Sequence, residues 1–356
     1  MSLSLAIVGL PNVGKSSLFN LLTKTQVEAS NYPFCTIDPN VGVVAVPDKR
    51  LDLLSEMSKS KKTIATSIEF VDVAGLVKGA HKGEGLGNQF LANIRECDAI
   101  CEVIRGFKND NIVHVAGKID PRDDKETIDL ELIFADTSTV TKRLEKSEKE
   151  VKSGDKEAIF LRETLQKIKT ELESGVPVRN IDLEEKEKKA LKPLNLLTAK
   201  PIIYLINGEE KDFNSEHLKF LHSENTLFIN VKLEQEIMSL NEEERQEYLE
   251  ELGLKQSGLD KLISASYKLL DLDTFFTTGP EETRAWTIKS GSLAPVAGSA
   301  IHTDFEKLFI RVEVINWEKL LQAGSFNKAK EQGLIRIEGK NYIVKDGDVC
   351  VFLINK

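Results

Sequence analysis

The chain has 356 residues, a hydrophobic fraction of 41%, a charged fraction of 29% and a formal net charge of −9. Its length suggests two or three domains, and its composition is globular rather than disordered or fibrous. The acidic balance excludes a general nucleic-acid binder, so any RNA contact has to be local and no DNA partner is expected. No apolar run approaches the roughly 20 residues needed to cross a bilayer. Residues 1–4 lack a basic segment leading into a long apolar stretch, so no secretory signal is expected. Of the four cysteines, Cys35, Cys97, Cys101 and Cys350, no two form Cys-x-x-Cys. They are expected to be buried or incidental thiols in a reducing compartment.

In chain order, residues 3–9 read as a buried strand, followed by a loop to Lys15 and a helix over 16–22. Strands are expected at 41–46 and 67–73, a helix at 87–96 and a strand at 98–104. This alternation predicts an α/β sheet that is mostly parallel. From Leu130 the pattern changes. Ile133, Thr137, Val140, Leu144, Ser147 and Val151 recur at spacings of four and three, and Ala158, Leu161, Leu165, Ile168 and Leu172 resume the spacing after Ser153-Gly154-Asp155. Two heptad seams joined by a turn predict an antiparallel helical hairpin inserted into the α/β domain; two ordinary surface helices are the alternative. The α/β pattern returns at 201–207 and 226–230. Past Thr278, short strands are expected at 286–288, 309–315, 335–337, 342–344 and 349–354, with turn chemistry at Gly339-Lys340-Asn341 and Lys345-Asp346-Gly347-Asp348. They form a small, separate α+β module.

Gly9-Leu10-Pro11-Asn12-Val13-Gly14-Lys15-Ser16 matches G-x-x-x-x-G-K-[ST] between a strand and a helix, the context in which that motif has mechanical meaning. Its glycines let backbone N–H groups cradle phosphates, Lys15 reaches the β- and γ-phosphates, and the Ser16 hydroxyl ligates Mg²⁺. Gly9, Asn12, Val13, Gly14, Lys15, Ser16 and Ser17 are the expected nucleotide contacts here. Asp72, at the end of a strand, is expected on the Mg²⁺ side and the Gly75 N–H at the γ-phosphate; a strand-end cap is the alternative for Asp72. Thr36, in Asn31-Tyr32-Pro33-Phe34-Cys35-Thr36, is placed to complete the Mg²⁺ shell. Leu76 follows Gly75 where Ras-type enzymes carry a Gln that orients water, so another group has to do that work or turnover is slow.

Asn207-Gly208-Glu209-Glu210 stands where a GTPase carries N-K-x-D. Glu210 is one methylene longer than the Asp that pairs with guanine, and Gly208 lacks the Lys stem that covers the base. A site built to pair one hydrogen-bonding edge rejects bases lacking it. Loss of that geometry predicts that guanine loses its advantage, that ATP binds better than GTP, and that Gly208→Lys with Glu210→Asp would recover GTP. A degenerate GTPase motif is the alternative.

With Asn31–Ile37, Asp72-Val-Ala-Gly-Leu-Val-Lys-Gly-Ala80, Gly83-Glu-Gly-Leu-Gly-Asn88, Ile301–Glu306 and Val344–Asp348, the motif set resembles the YchF family, the Obg-like ATPases, over essentially the whole chain. The resemblance implies a Ras-like P-loop G domain of α/β class, with an inserted antiparallel coiled-coil hairpin and a C-terminal β-grasp TGS domain. The divisions are 1–128 and 193–277 for the G domain, 129–192 for the insert and 278–356 for the TGS domain. It implies a cytoplasmic, ribosome-associated, Mg²⁺-dependent ATPase, with Asn207, Gly208 and Glu210 at the base and K⁺ ligated at Asn12. It also implies that His114 replaces the missing Gln; a structural His is the alternative. A GTP-hydrolysing or nucleotide-switched ribosome-binding module with little intrinsic catalysis is the alternative function. The chain departs from the family at Gly208, usually larger, at Asn230-Val231, usually Ser-Ala or Cys-Ala, and at His81, usually small. His81 lies in a Gly-rich run, 78–87, that reads as a mobile switch or a merely flexible loop.

Overall fold

Residues 5–8, 99–104 and 202–206 are apolar almost throughout, so the strands they form must be covered on both faces, as parallel strands are. The computed structural model describes residues 3–24, 40–73, 86–109, 119–151, 155–213 and 225–355. Its first sheet contains β1 (Ser4–Val8), β2 (Val41–Ala45), β4 (Ser67–Asp72), β5 (Ala99–Arg105), β6 (Ile202–Asn207) and β7 (Thr226–Ile229), in the order β2-β4-β1-β5-β6-β7. The neighbours β4-β1, β1-β5, β5-β6 and β6-β7 are all parallel. Strand order reverses at β1, and ligands of open α/β sheets gather outside the carboxyl ends of the strands at such a switch point. Helices α1 (Lys15–Lys24) and α3 (Leu86–Glu96) follow β1 and β4.

The chain divides into two units. The first holds the described residues of Met1–Lys24, Ile37–Gly42 and Glu69–Leu262; the second holds those of Val43–Ile68 and Ile263–Lys356. The chain passes from one to the other inside β2 and inside β4.

In the first unit, α4 (Pro121–Val151) and α5 (Lys156–Glu173) form the two expected long helices. Ile133, Val140, Leu165, Ile168 and Leu172 are buried in one core, with Leu144 and Leu161 packed against it. The heptad reading thus finds the seam. Each fully buried Leu or Ile contributes roughly 1.5–3 kcal/mol relative to exposure. The seam is also longer than expected at its base, where Val178, Leu191 and Leu196, from the return segment, join it. Asp136 on α4 is wholly buried and accepts the N–H groups of Leu197 (3.0 Å) and Thr198 (2.7 Å), which fixes that segment against the hairpin.

The second unit is built on a mixed sheet of β3 (Lys62–Ile64), β8 (Leu272–Thr278), β9 (Glu282–Lys289), β10 (Phe309–Asn316), β11 (Arg336–Glu338) and β12 (Asp348–Ile354), ordered β11-β10-β12-β8-β9-β3. One face buries Phe275, Val312, Val314 and Cys350; the other buries Phe276, Ile315 and Val349 with Leu51 and Leu54 of helix α2 (Lys49–Ser58). Two expectations are corrected here. The module begins at β8, six residues before Thr278, and it recruits α2 and β3 from far upstream. Ile64 pairs with Arg284, the Lys61 N–H donates to the Pro280 carbonyl at 3.0 Å, and Arg50 binds both Asp48 and Asp346. Residues 342–344 form no strand. The Tyr342 N–H turns back to the Gly339 carbonyl, its hydroxyl donates to Asp348 at 2.7 Å, and one isolated bridge, Leu293 to Ile343, is all that remains.

Among the described residues no helix is long and apolar enough to cross a membrane. Cys97, Cys101 and Cys350 are free and buried, and burial pushes the first two thiols up to about 11 and about 12. Cys35 lies outside the described residues.

Candidate active site

The turn after β1 has an unusual backbone. Gly9 has φ +150°, Gly14 φ +102° and Asn12 φ +64°. A Cβ on Gly9 would stand 2.4 Å from the Val103 carbonyl oxygen, and one on Gly14 2.3 Å from Asn207 Nδ2. Only glycine satisfies both the dihedral and the space at these positions. The loop therefore lies tight against the ends of β5 and β6. Its Lys15 opens α1, is 7% exposed, and donates from Nζ to the carbonyls of Gly9 (3.0 Å) and Leu10 (2.8 Å). An ammonium has three hydrogens; the two carbonyls use two and leave one for a phosphate oxygen.

Asn207, the last residue of β6, is 6% exposed and ties two elements to this loop. Its Nδ2 donates to the Val13 carbonyl at 2.9 Å, and its Oδ1 accepts the Val231 N–H at 3.1 Å. Asn230 caps the helix Val231–Ser239 by accepting the N–H groups of Lys232 and Leu233, and donates to Glu209 at 3.2 Å. On the other side, buried Arg105 donates to the carbonyls of Phe107 and Asn109, both at 3.2 Å, and lies over the Phe107 ring at 4.6 Å. A cavity of about 660 Å³ opens between these walls, lined by Asn12, Gly14, Lys15, Ser16 and Ser17 from the loop, Phe107–Asn109 after β5, Asn207, and Asn230, Val231, Lys232 and Gln235 after β7. All of them lie at or just after the carboxyl ends of parallel strands. A cationic loop at a helix N-terminus, opposite an aromatic and amide-lined wall, matches a nucleotide in size and polarity.

A family profile described as a 50S ribosome-binding GTPase matches residues 4–134, and the YchF-GTPase C-terminal profile, described as a protein of unknown function, matches residues 272–355. The "Ribosome-binding ATPase YchF" of Bacillus subtilis (strain 168) is 52% identical over 365 residues, covering 100% of both chains. The chain belongs to the YchF family. The Escherichia coli O157:H7 member, of the same name, is 50% identical over 362 residues, again over 100% of both chains. A solved YchF structure, entitled "Structure of the Schizosaccharomyces pombe YchF GTPase", superposes with TM-score 0.87 at 37% identity, over 99% of this chain and 98% of the other. The α/β P-loop fold with its C-terminal YchF module is thus the fold of this family.

Electrostatics bind the YchF loop to β4. Burial lowers the Lys15 ammonium from 10.5 to about 8, against the pull of Asp72. Asp72, paired in register with Ile7 at the end of β4, is raised by burial and lowered by Lys15. In the unfolded chain Lys15 stays protonated to its ordinary value. Between pH 8 and 10.5 the unfolded state thus binds the extra proton, and the contribution of Lys15 to the stability of the unliganded protein rises with pH. A polyanion reverses the preference and holds the ammonium charged. Triphosphate affinity is therefore expected to be flat below pH 8 as far as Lys15 is concerned. It should fall by up to about tenfold per unit above pH 8. Calorimetric Kd values from pH 7 to 9.5 at fixed Mg²⁺ and ionic strength check this; a flat profile would place Lys15 away from the phosphates.

Ser16 and Asp72 supply hard oxygen donors beside Lys15, the ligand type that Mg²⁺ takes in small number alongside substrate phosphates. Among the described residues no group of three or more His, Cys, Asp and Glu could hold a metal ion by itself.

The structure brings together Asn12, Gly14, Lys15, Ser16, Ser17 and Asn207, with Gly9 and Val13 bonded through their carbonyls. Thr36, Gly75, Leu76, His81 and His114 lie outside the described residues. Gly208 and Glu210 do not line the described cavity. A Cβ on Gly208 would meet the Gly106 carbonyl carbon at 2.9 Å and its oxygen at 3.0 Å. The expectation that Gly208→Lys helps to recover GTP is corrected accordingly: the stem has no room to start. Sequence reasoning missed Arg105, Phe107–Asn109, Lys232 and Gln235. Their signal was positional, just past strands expected at 98–104 and 226–230, on the side where α/β sheets bind ligands.

Proposed function

We propose that the chain hydrolyses ATP, in preference to GTP, at the Lys15 cavity, as a cytoplasmic, ribosome-associated protein. The observation that carries this reading is the backbone contact between Gly208 and Gly106, which leaves no room for the stem that an N-K-x-D site lays over guanine. The bacterial relatives, named ribosome-binding ATPases, support ATP and the ribosome. The Schizosaccharomyces pombe structure and the N-terminal family are described as GTPases, which keeps a GTP-hydrolysing or nucleotide-switched module as the second reading.

In the proposed site, Lys15 holds the β- and γ-phosphates, loop N–H groups from Gly9 to Ser17 surround them, and the Gly75 N–H meets the γ-phosphate. Ser16, Thr36 and Asp72 would hold Mg²⁺, which neutralises charge on the phosphate oxygens when bound; Asn12 would hold K⁺. Asn207, with Gly208 and Glu210 nearby, forms the base end. His114 orients the attacking water, because Leu76 has no donor or acceptor for it. The second unit is read as a TGS β-grasp domain whose C-terminal part starts at β8, and the insert at 129–192 belongs to the same proposal.

Phosphate release from ATP with and without ribosomes, beside co-sedimentation in ATP, ADP and no nucleotide, tests the function. Ribosome binding should depend on the nucleotide and weaken with salt, because local phosphate contacts release counterions. Equal binding in all three states would rule out a switch. His114→Ala should lower kcat on the order of tenfold to a thousandfold with little change in ATP affinity; an unchanged kcat removes His114 from the reaction.

A further inference from the structure

We propose that Glu234 is a positioning residue that sets the base-side wall of the nucleotide cavity. The inference rests on the ATP-site reading above and extends it to a side chain outside the cavity. Glu234 lies in the first turn of the helix Val231–Ser239 and is 3% exposed. Its Oε1 accepts the Gly258 N–H at 2.8 Å and its Oε2 the Leu259 N–H at 3.2 Å. These open the helix Gly258–Leu269, and the first N–H groups of a helix have no partner within it. Ser257 Oγ takes the next, from Asp260, at 3.0 Å. A carboxylate 24 residues upstream thus completes the cap, where the helix dipole favours negative charge.

The consequence is geometric. The Val231–Ser239 helix carries Val231, Lys232 and Gln235 into the cavity wall. Its start is held by Asn207 and by the Asn230 cap. Glu234, in the same first turn, ties that start to a further element, the beginning of the helix Gly258–Leu269, while Ile237 buries the far side of the helix in the core. The fit there is close, since a Cβ on Gly258 would lie 2.7 Å from Glu234 Oε1 and 2.9 Å from Ile229 Cγ2. Burial raises the Glu234 carboxyl, and the two N–H bonds oppose that rise without cancelling it. The phosphate side, by contrast, is built by the loop and α1. Loss of the Glu234 tie should therefore disturb base binding and spare phosphate binding.

The test compares Mg²⁺-ATP with Mg²⁺-tripolyphosphate, which has the phosphates and no base. Calorimetric Kd values, KM, kcat and melting temperatures are measured for the wild type, Glu234→Ala, Glu234→Gln and Gly258→Ala. Glu234→Ala should weaken ATP about tenfold, leave tripolyphosphate affinity unchanged, and raise KM with kcat intact. Glu234→Gln keeps one acceptor oxygen and should recover part of the loss. Gly258→Ala, which drives a methyl into the carboxylate, should reproduce the selective loss and carries the test if the Ala variant fails to fold. Equal weakening of both ligands, or weakening of neither, would overturn the proposal. A wild-type protein that binds neither ligand would instead remove the nucleotide site on which it stands.

Discussion

Replacing Lys15 with alanine is expected to lower ATP turnover at least about a hundredfold and to weaken triphosphate binding. Removing one preorganised donor to developing charge typically costs 10²–10³ in rate, by order of magnitude, and Lys15 would supply a full charge as well as a donor. The side chain is 7% exposed and its ammonium sits between the Gly9 and Leu10 carbonyls, so its position is fixed before any phosphate arrives. A surface lysine would lose side-chain entropy on meeting a phosphate; this one has already lost it. Its depressed ionisation shows that the fold holds the charge at a cost, and a bound polyanion offsets that cost. Phosphate release at saturating ATP is the direct readout. Near-normal turnover in the variant would mean that hydrolysis occurs elsewhere.

Asn207→Ala should be the second severe change, and it should act on structure and binding together. The substitution strips a donor from the Val13 carbonyl and an acceptor from the Val231 N–H, both in a buried setting. Each buried group left unpaired costs about 1–3 kcal/mol. The two losses fall on the phosphate loop and on the start of the base-side helix, so nucleotide affinity should drop on the order of a hundredfold with a lower melting temperature. Asn207→Asp separates the two halves of the staple. A carboxylate still accepts from Val231 but faces the Val13 carbonyl with a second acceptor, so it should fare no better at the loop. Titration and thermal melting of both variants check this; wild-type affinity in Asn207→Ala would mean that the staple does not shape the cavity.

Much of this was readable in the residues because local rules and tertiary packing agree there. The phosphate loop is legible since its two glycines answer a backbone demand that lies within eight residues of sequence. The hairpin is legible since one heptad seam meets another across a short turn, and Ile133, Val140, Leu165 and Ile168 do face one another in the core. The second unit was less so. Leu51 and Leu54 look like the apolar face of any surface helix, and nothing local says that they pack on Phe276 and Val349. Strand β3 is three residues long and pairs with β9 from the far end of the chain, a contact no periodicity reveals. The Tyr342–Val344 segment fails for the opposite reason. Its β-branched residues suit a strand, yet the Tyr342 hydroxyl bond to Asp348 and the turn at Gly339 take the backbone elsewhere. In the site, the motif residues announce themselves, while the walls do not. Arg105 reads as a charge just past a strand expected to end at 104, and its bonds to the Phe107 and Asn109 carbonyls show that it shapes the cavity.

The base end decides between the two nucleotide readings, and calorimetric titration of the wild-type protein with ATP and with GTP, both with Mg²⁺, measures it directly. With Gly208 packed on Gly106 and Asn207 committed to Val13 and Val231, ATP should bind more tightly than GTP, by about tenfold or 1.4 kcal/mol. GTP binding tighter than ATP by that same margin would contradict the assignment of this cavity to ATP.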